Sequence, residues 1–409
     1  MHILTISDFY PPFIGGAEHQ VSLICRNLKQ RGHTVNVATV WQGETSQVTQ
    51  DEYGVTVYRL KSLSTRVPWF YQDPRRRFHP PFPDIGMAFS LRRLIETLRP
   101  DIVHAVGWIA YSVAVALRNH AIPLVVSTRD HGYTCAIRVF LHNGRVCSGP
   151  SFSKCLDCSR ARYGWPKALA AVSGVFWGRS LLRKRIDAYH CASTYIYDLM
   201  RRDLFDGAVE RKPHGVVIPN ILANEAAPGG LPDVIAALSQ PYILFVGALQ
   251  PSKGLDVLLA AHQALVSPPP LVLVGTAWPD TPTRFPPGVT VLRDLPHPVV
   301  MAAWQRSLFA VVPSLIPETF GNAVVEAMSQ GKAVIASRLG SLANLVKDEE
   351  TGFLVPPGDV LALTQAMQCL LDDAEKRQRF GRAGYERSQL FSAETIVPQF
   401  EAFYQRLTV

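Results

Sequence analysis

The sequence predicts an α/β protein built from two doubly wound parallel sheets. Three observations lead there. Short apolar runs alternate with helical stretches along the whole chain, the runs fall into two sets divided by a Pro- and Gly-rich stretch, and glycine-rich loops follow several of the runs. The 409 residues suffice for two domains of ordinary size, and 47% hydrophobic content is enough for two cores and speaks against disorder.

In chain order, residues 3–7, 35–40, 55–60, 102–105 and 124–127 read as strands, being short, apolar and rich in β-branched side chains. Residues 16–31, 89–98 and 110–119 read as helices between several of them. The second set of strands is 242–246, 271–274, 289–292, 309–312 and 333–336, again with helices interposed. The pattern breaks from Pro219 to Pro232, where Asn224–Gly230 holds Pro and paired glycines. Domains of residues 1–222 and 223–394 are therefore expected, followed by an amphipathic terminal helix within 395–409. In sheets of this kind ligands bind at the carboxyl ends of the strands.

Charge is uneven. Residues 1–215 hold 28 Lys and Arg against 16 Asp and Glu, whereas residues 216–409 hold 13 against 17. A basic first half points to an anionic partner. The densest spots are Arg75-Arg76-Arg77 and Arg179, Arg183, Lys184 and Arg185, the latter beside Phe176-Trp177. An anionic membrane surface carrying a lipid-linked acceptor is one reading, and a solvated basic face is the other. No nucleic-acid recognition motif accompanies the charge, so no nucleic-acid partner is expected. No apolar run reaches the ~18 residues that a membrane span needs. Met1–Asp8 reads as a strand without a basic leader, so the expected location is cytoplasmic, with peripheral attachment to the inner face of the cell membrane as the extension.

The most informative stretch is Pro317–Met328. Glu318 follows a buried-strand pattern at 308–314, and Glu326 falls eight positions later in a helix that opens near Asn322. A helix N-terminus beside a strand end is an anion site, because its first amides lack intrahelical partners. A carboxylate before the helix and another inside it can accept from hydroxyls on either side of a phosphate. That combination describes a nucleotide sugar. The alternative is a capping Glu318 and a solvated Glu326, but Glu326 lies among Ala323, Val324, Val325, Ala327 and Met328, a poor setting for a wet face.

This Glu-x7-Glu segment, with Phe320-Gly321 after the first glutamate, resembles that of the family 4 retaining glycosyltransferases. Tyr10–Glu18 looks like the family's first strand-to-helix loop, and Phe245–Gly254 like the loop that opens its second domain. Gly331–Ser337 and Thr351–Val355 continue the likeness, which covers most of the chain in order. The resemblance implies the GT-B fold, two Rossmann-like domains facing an interdomain cleft, with the last helix crossing back to the first domain. It also implies transfer of a sugar from a nucleoside diphosphate to a hydroxyl acceptor: a glycan, a lipid-linked sugar or a small molecule. Surface polysaccharide or glycolipid assembly is the family-level pathway. The rivals are a nucleotide-sugar epimerase of the same fold and a non-catalytic nucleotide-sugar binder.

Carried over position by position, Lys253 contacts the diphosphate, Glu318 holds donor-sugar hydroxyls, and Glu326 accepts from the nucleoside ribose. The amides of Phe320, Gly321 and Asn322 face sugar and phosphate, while Gly15 and Gly16 let the first domain's backbone approach the diphosphate. No divalent metal is needed for catalysis, since Lys253 and the helix amides can take the phosphate charge. Two positions depart from the family. Ala248 stands where members carry an Arg as a second phosphate clamp, with Arg293 and Arg338 as candidate substitutes. Arg129 stands where relatives have a His facing the donor sugar, so either His131 takes that role or Arg129 contacts phosphate.

Four of the seven cysteines, Cys135, Cys147, Cys155 and Cys158, cluster within 24 residues and resemble an insertion found in a subset of these enzymes. They are candidates for a structural zinc site, with reduced or redox-active thiols as the alternative. Cys25, Cys191 and Cys369 read as buried small hydrophobes.

Overall fold

The computed structural model describes all residues except 13–14, 44–45, 68–76, 206–212, 224–232, 239–240 and 409. Arg75, Arg76 and the Asn224–Gly230 break therefore lie outside the described residues. The chain forms two compact units, Met1–Ile221 with Ile396–Val409, and Leu222–Thr395.

The first unit begins with β1 (His2–Ser7), α1 (Gly16–Gln30), β2 (Thr34–Val40), β3 (Val48–Gln50) and β4 (Thr56–Leu60). It continues through α2 (Ile85–Leu98), β5 (Ile102–Val106), α3 (Ala110–Ala116) and β6 (Leu124–Thr128). A small hairpin, β7 (Leu141–His142) and β8 (Arg145–Val146), precedes α4 (Phe152–Tyr163) and α5 (Trp165–Arg185). Then come β9 (Ala188–Cys191), α6 (Thr194–Met200) and β10 (His214–Val217). The eight-stranded sheet runs β10-β9-β6-β5-β1-β2-β4-β3, parallel except for the edge strand β3. Its central strands are buried on both faces because helices cover both, and β5 and β6 are buried at every residue, the polar His104, Ser127 and Thr128 included.

The second unit holds α7 (Asp233–Ala236), β11 (Tyr242–Val246), α8 (Leu255–Gln263), β12 (Leu271–Gly275) and β13 (Val289–Arg293). These are followed by α9 (His297–Arg306), β14 (Ser307–Val312), α10 (Asn322–Ser329), β15 (Val334–Ser337), α11 (Leu342–Leu345) and β16 (Gly352–Val355). Helices α12 (Val360–Asp372), α13 (Ala374–Ser388) and α14 (Ala393–Thr408) complete the chain. The all-parallel sheet runs β13-β12-β11-β14-β15-β16. Ile243, Leu271, Leu273, Phe309 and Ile335 are fully buried in its core. Each such side chain contributes roughly 1.5–3 kcal/mol on burial, so the sheet core outweighs any surface ion pair.

Several expectations shift in detail. α2 starts at Ile85, four residues before the sequence estimate, because Asp84 caps it by accepting from the Met87 amide at 2.9 Å. β9 and β10 were not expected, since AYHC and HGVV are short and carry histidines. His190 lies inside the sheet all the same, its Nδ1 accepting from Ser127 and its Nε2 donating to the Ile218 carbonyl, at 2.6 and 2.7 Å. Cys25 and Cys191 are buried, but Cys369 is only partly so, its sulfur accepting from the Lys376 ammonium at 3.4 Å.

α14 belongs to the first unit from Ile396 onward, and Tyr404 anchors it there. Its hydroxyl donates to His104 Nδ1 at 2.7 Å, and His104 Nε2 donates to Ser127 Oγ at 2.6 Å. Ser127 then donates to His190, so one directed chain crosses β5, β6 and β9 and ends on a backbone carbonyl. The carbonyl can only accept, and that fixes every proton along the chain.

Candidate functional site

Sheet order reverses between β11 and β14 in the second unit, and the loops leaving those two strands meet at their carboxyl ends, where the Leu315 amide donates to the Ser252 carbonyl at 3.0 Å. Lys253 comes from the first loop and Glu318 from the second. The Lys253 ammonium lies 2.6 Å from Glu318 Oε1, and the Ser314 hydroxyl donates to the same oxygen at 2.8 Å. Lys253 ends a short turn, Pro251–Lys253, before Gly254 at φ +77°. A Cβ at Gly254 would collide with the Pro313 carbonyl oxygen, so glycine is what lets the two loops close on each other.

Glu318 is held by its backbone as well as its carboxylate. Its carbonyl accepts from the Ser341 amide at 3.0 Å and the Ser341 hydroxyl at 2.9 Å, and that hydroxyl also reaches the Phe320 carbonyl. Gly340 makes the approach possible at φ +58°, where a Cβ would fall 2.8 Å from both the nitrogen and the oxygen of Glu318. Gly340→Ala is therefore expected to destabilise the chain by about 3 kcal/mol, through left-handed strain plus displacement of the Glu318 backbone. Chemical denaturation measures it, and a loss under ~0.5 kcal/mol would show that the loop gives way freely.

α10 opens immediately after Gly321, which has φ +110°. Glu326 lies on its second turn with 14% of its side chain exposed, and Oε1 is 3.4 Å from His297 Nε2 at the start of α9. Phe320 turns its ring into the core against Phe391, with centroids 5.6 Å apart, leaving its backbone at the helix entrance. The structure thus brings Lys253, Glu318 and the α10 entrance together, with Glu326 along that helix. Ser314, Ser341, Gly340 and His297 were missed by sequence reasoning. Only Ser314, the last residue of the strand pattern, carried a usable signal, since the others meet their partners through the fold. Of the candidate substitutes for Ala248, Arg338 is engaged with Asp348 and the Leu354 carbonyl, and Arg293 is exposed at the end of β13.

In the first unit the sheet order reverses between β1 and β5. Asp8, just past β1, accepts from the Ile109 and Trp108 amides at 2.9 and 3.2 Å. Arg138 stacks on the Trp108 ring, 3.8 Å from its centroid, with its guanidinium 3.6 Å from Asp8 and 3.3 Å from Asp130. Burial pushes the Asp8 carboxyl up to about 7 against the opposing pull of Arg138. No motif announced this cluster. Gly15 precedes α1 in extended backbone, and the Glu18 carboxylate occupies the space that a Cβ there would take.

His131 is 4% exposed, stacked on Phe140 with centroids 4.8 Å apart and edge-on to Tyr195. Its imidazole is thus surrounded by aromatic rings, not displayed on a polar loop. The Arg129 guanidinium reaches the Asn220 side-chain oxygen, and burial lowers its pKa to about 10.

The four clustered cysteines are free thiols: Cys135 in the loop after β6, Cys147 just after β8, and Cys155 and Cys158 on α4. His142 Nδ1 lies 3.2 Å from Cys158 Sγ. Burial pushes the Cys135, Cys155 and Cys158 thiols up, and the neighbouring cysteines add to it. Among the described residues no group of three or more His, Cys, Asp or Glu could hold a metal ion. The donor set as arranged does not fit zinc.

Among the described residues no helix is long and apolar enough to cross a membrane. Comparison with known proteins finds two family matches, "Glycosyl transferase 4-like domain" over residues 15–220 and "Glycosyl transferases group 1" over residues 240–373. D-inositol 3-phosphate glycosyltransferase of Corynebacterium glutamicum is 33% identical over 178 residues, 40% of this chain and 42% of that protein. The chain thus matches less than half the length of that relative. Sucrose-phosphate synthase from Thermosynechococcus elongatus superposes with a TM-score of 0.74 at 21% identity, covering 100% of this chain and 99% of that one. Anabaena HepE in complex with UDP-glucose gives 0.69 at 17%, covering 99% and 100%. At these identities the structural likenesses establish architecture alone.

Proposed function

The chain belongs to the glycosyl transferase 4-like family and has the GT-B fold, and from that premise we propose that it transfers a sugar from a nucleoside diphosphate to a hydroxyl acceptor with retention at the anomeric carbon. The observation that carries this reading is the Lys253–Glu318–Ser314 group at the point where the second sheet reverses its order, beside the α10 entrance. A cation, a fixed carboxylate and a helix N-terminus on one strand-end surface suit a ligand with a phosphate between hydroxyl-bearing groups.

In the transfer the anomeric carbon–oxygen bond to the diphosphate breaks, and its electron pair stays on the leaving phosphate oxygen. The acceptor oxygen bonds to the anomeric carbon on the same face, and its proton passes to that phosphate oxygen. Lys253 turns from Glu318 to the diphosphate and, with the α10 amides, stabilises the charge that grows there. This scheme requires no divalent metal. Glu318 holds the sugar hydroxyls on a carboxylate that Ser314 and the Ser341-anchored backbone keep in place. Glu326, partly buried beside His297, accepts from the ribose. The acceptor is a glycan, a lipid-linked sugar or a small molecule, and surface polysaccharide or glycolipid assembly is the pathway this reading favours.

A thermal-shift panel of UDP, GDP, ADP and CMP with their sugar conjugates tests it. UDP comes first, because HepE was solved with UDP-glucose. One nucleotide should raise the melting temperature by about 5 °C at a hundred times its Kd, and Glu326→Ala should abolish the response. If no nucleotide stabilises the wild type at millimolar concentration, the donor assignment fails.

A further inference from the structure

We infer that the outer face of the α4–α5 hairpin is a docking surface for an anionic lipid bilayer. α5 exposes Trp165, Leu169 and Trp177, at 56, 49 and 60% of their surface, with the exposed Ser173 between them. The spacing of four and eight residues puts all three on one stripe of the helix, about 18 Å long at 1.5 Å per residue. Two large aromatics left in water on one helix face are not accounted for by the core, which takes Ala168, Ala171, Val172 and Val175 from the opposite side.

α2 carries a second exposed apolar pair. A Cβ at Gly174 of α5 would fall 2.6 Å from the Pro81 carbonyl oxygen, so the segment leading into α2 packs on this helix. Three residues beyond Phe82, α2 begins and exposes Ile85 and Phe89 at 78 and 62%.

Charge identifies the occupant. Residues 152–185 contain eight Lys and Arg and a single acidic residue, Asp157. Arg160, Arg162 and Lys184 are exposed, and Arg160 lies over the Trp165 ring at 5.3 Å. Arg179 and Arg183 donate to the backbone carbonyls of Asp203 and Leu204, neutral acceptors that leave their positive charge in the local field. Indole rings seat at the headgroup level of a bilayer, and surrounding cations hold anionic headgroups. Tryptophan and arginine also suit protein interfaces, but eight cations against one acidic residue along this hairpin favour an anionic lipid surface over a protein of mixed charge. The inference deepens the proposed function by naming the surface on which a lipid-linked acceptor would be met, and it rests on that reading only there.

The test is co-flotation of the full chain with vesicles of phosphatidylcholine alone and of phosphatidylcholine with phosphatidylglycerol, with no donor present. Binding is expected to the anionic vesicles only. It should fall about tenfold in Trp165→Ser/Trp177→Ser and in Arg162→Glu/Lys184→Glu, with melting temperatures near that of the wild type. The inference is overturned if the wild type floats with neither vesicle, or if the tryptophan pair floats as well as the wild type. It is equally overturned if sedimentation shows a dimer that the tryptophan pair abolishes while flotation is unchanged. Nucleotide stabilisation in the same preparations reads the donor site separately, so either proposal can fail alone.

Discussion

Lys253→Ala is expected to lower kcat/KM by roughly 10²–10³-fold, through the loss of a cation aimed at charge that develops on the leaving diphosphate. The rate falls mainly in kcat if the ammonium acts on the transition state, and mainly through KM if it only binds the donor. Stability should hardly change. The Lys253–Glu318 pair is partly exposed, so its contribution is about 1 kcal/mol or less, and Ser314 still donates to the carboxylate left behind. Steady-state kinetics beside a denaturation curve separates these effects. An alanine variant with a rate within threefold of wild type would remove Lys253 from the machinery and undo the mechanism. Lys253→Arg is expected to recover little, because the planar guanidinium does not fit a turn closed by Gly254 against Pro313.

The second large effect is acid instability. His79, His104 and His190 are buried and neutral, with burial lowering His79 to about 4, His104 to about 3 and His190 well below its ordinary value. Each is wired at both ring nitrogens. His79 donates to the Pro80 carbonyl and accepts from Ser112, while His104 and His190 lie on the chain from Tyr404 to Ile218. The unfolded chain binds these protons near pH 6.5 and the folded one does not. The stability they contribute is therefore complete above pH 6.5 and is lost as pH falls toward their folded pKa values. Asp8 acts with the opposite sign: its raised pKa lets the folded state keep a proton up to about 7, so its contribution is present at low pH and lost as pH rises. Three protons against one leave a net uptake of about two on unfolding, or roughly 3 kcal/mol per pH unit between pH 6 and 4.5. Urea denaturation across that range measures it, and His104→Gln should remove about one proton from the slope. A stability that stays flat from pH 7 to 5 would mean these rings are not buried neutral.

The parallel sheets were legible because their strands are buried on both faces and read as unbroken apolar runs. β9 and β10 escaped that reading, since His190 is a core residue only by virtue of partners on β6 and in the segment after β10. The start of α2 was hidden for a similar reason. Asp84 caps it while also accepting from the amides of Leu63 and Ser64, some twenty residues away. The basic cluster near Arg183 looked like a free surface, yet Arg185 donates to the carbonyls of Leu117, His120 and Ile122 and pairs with Asp187. What remains exposed beside it is tryptophan as much as charge.

By itself the sequence determined the alternation of strand and helix, the place of Lys253 and Glu318 in loops after strands, and the helix that carries Glu326. All of these follow from local periodicity, turn chemistry and the spacing of a few residues. Tertiary structure alone decided which loops meet. Crossover connections set β11 beside β14, and only then do Lys253 and Glu318 share a hydrogen bond and Ser341 grip the Glu318 carbonyl. Crossovers in the first unit likewise put Asp8 under Arg138, surround His131 with aromatic rings and string His104 to His190. Burial and electrostatic environment depend on neighbours distant in the chain, and no local pattern encodes them.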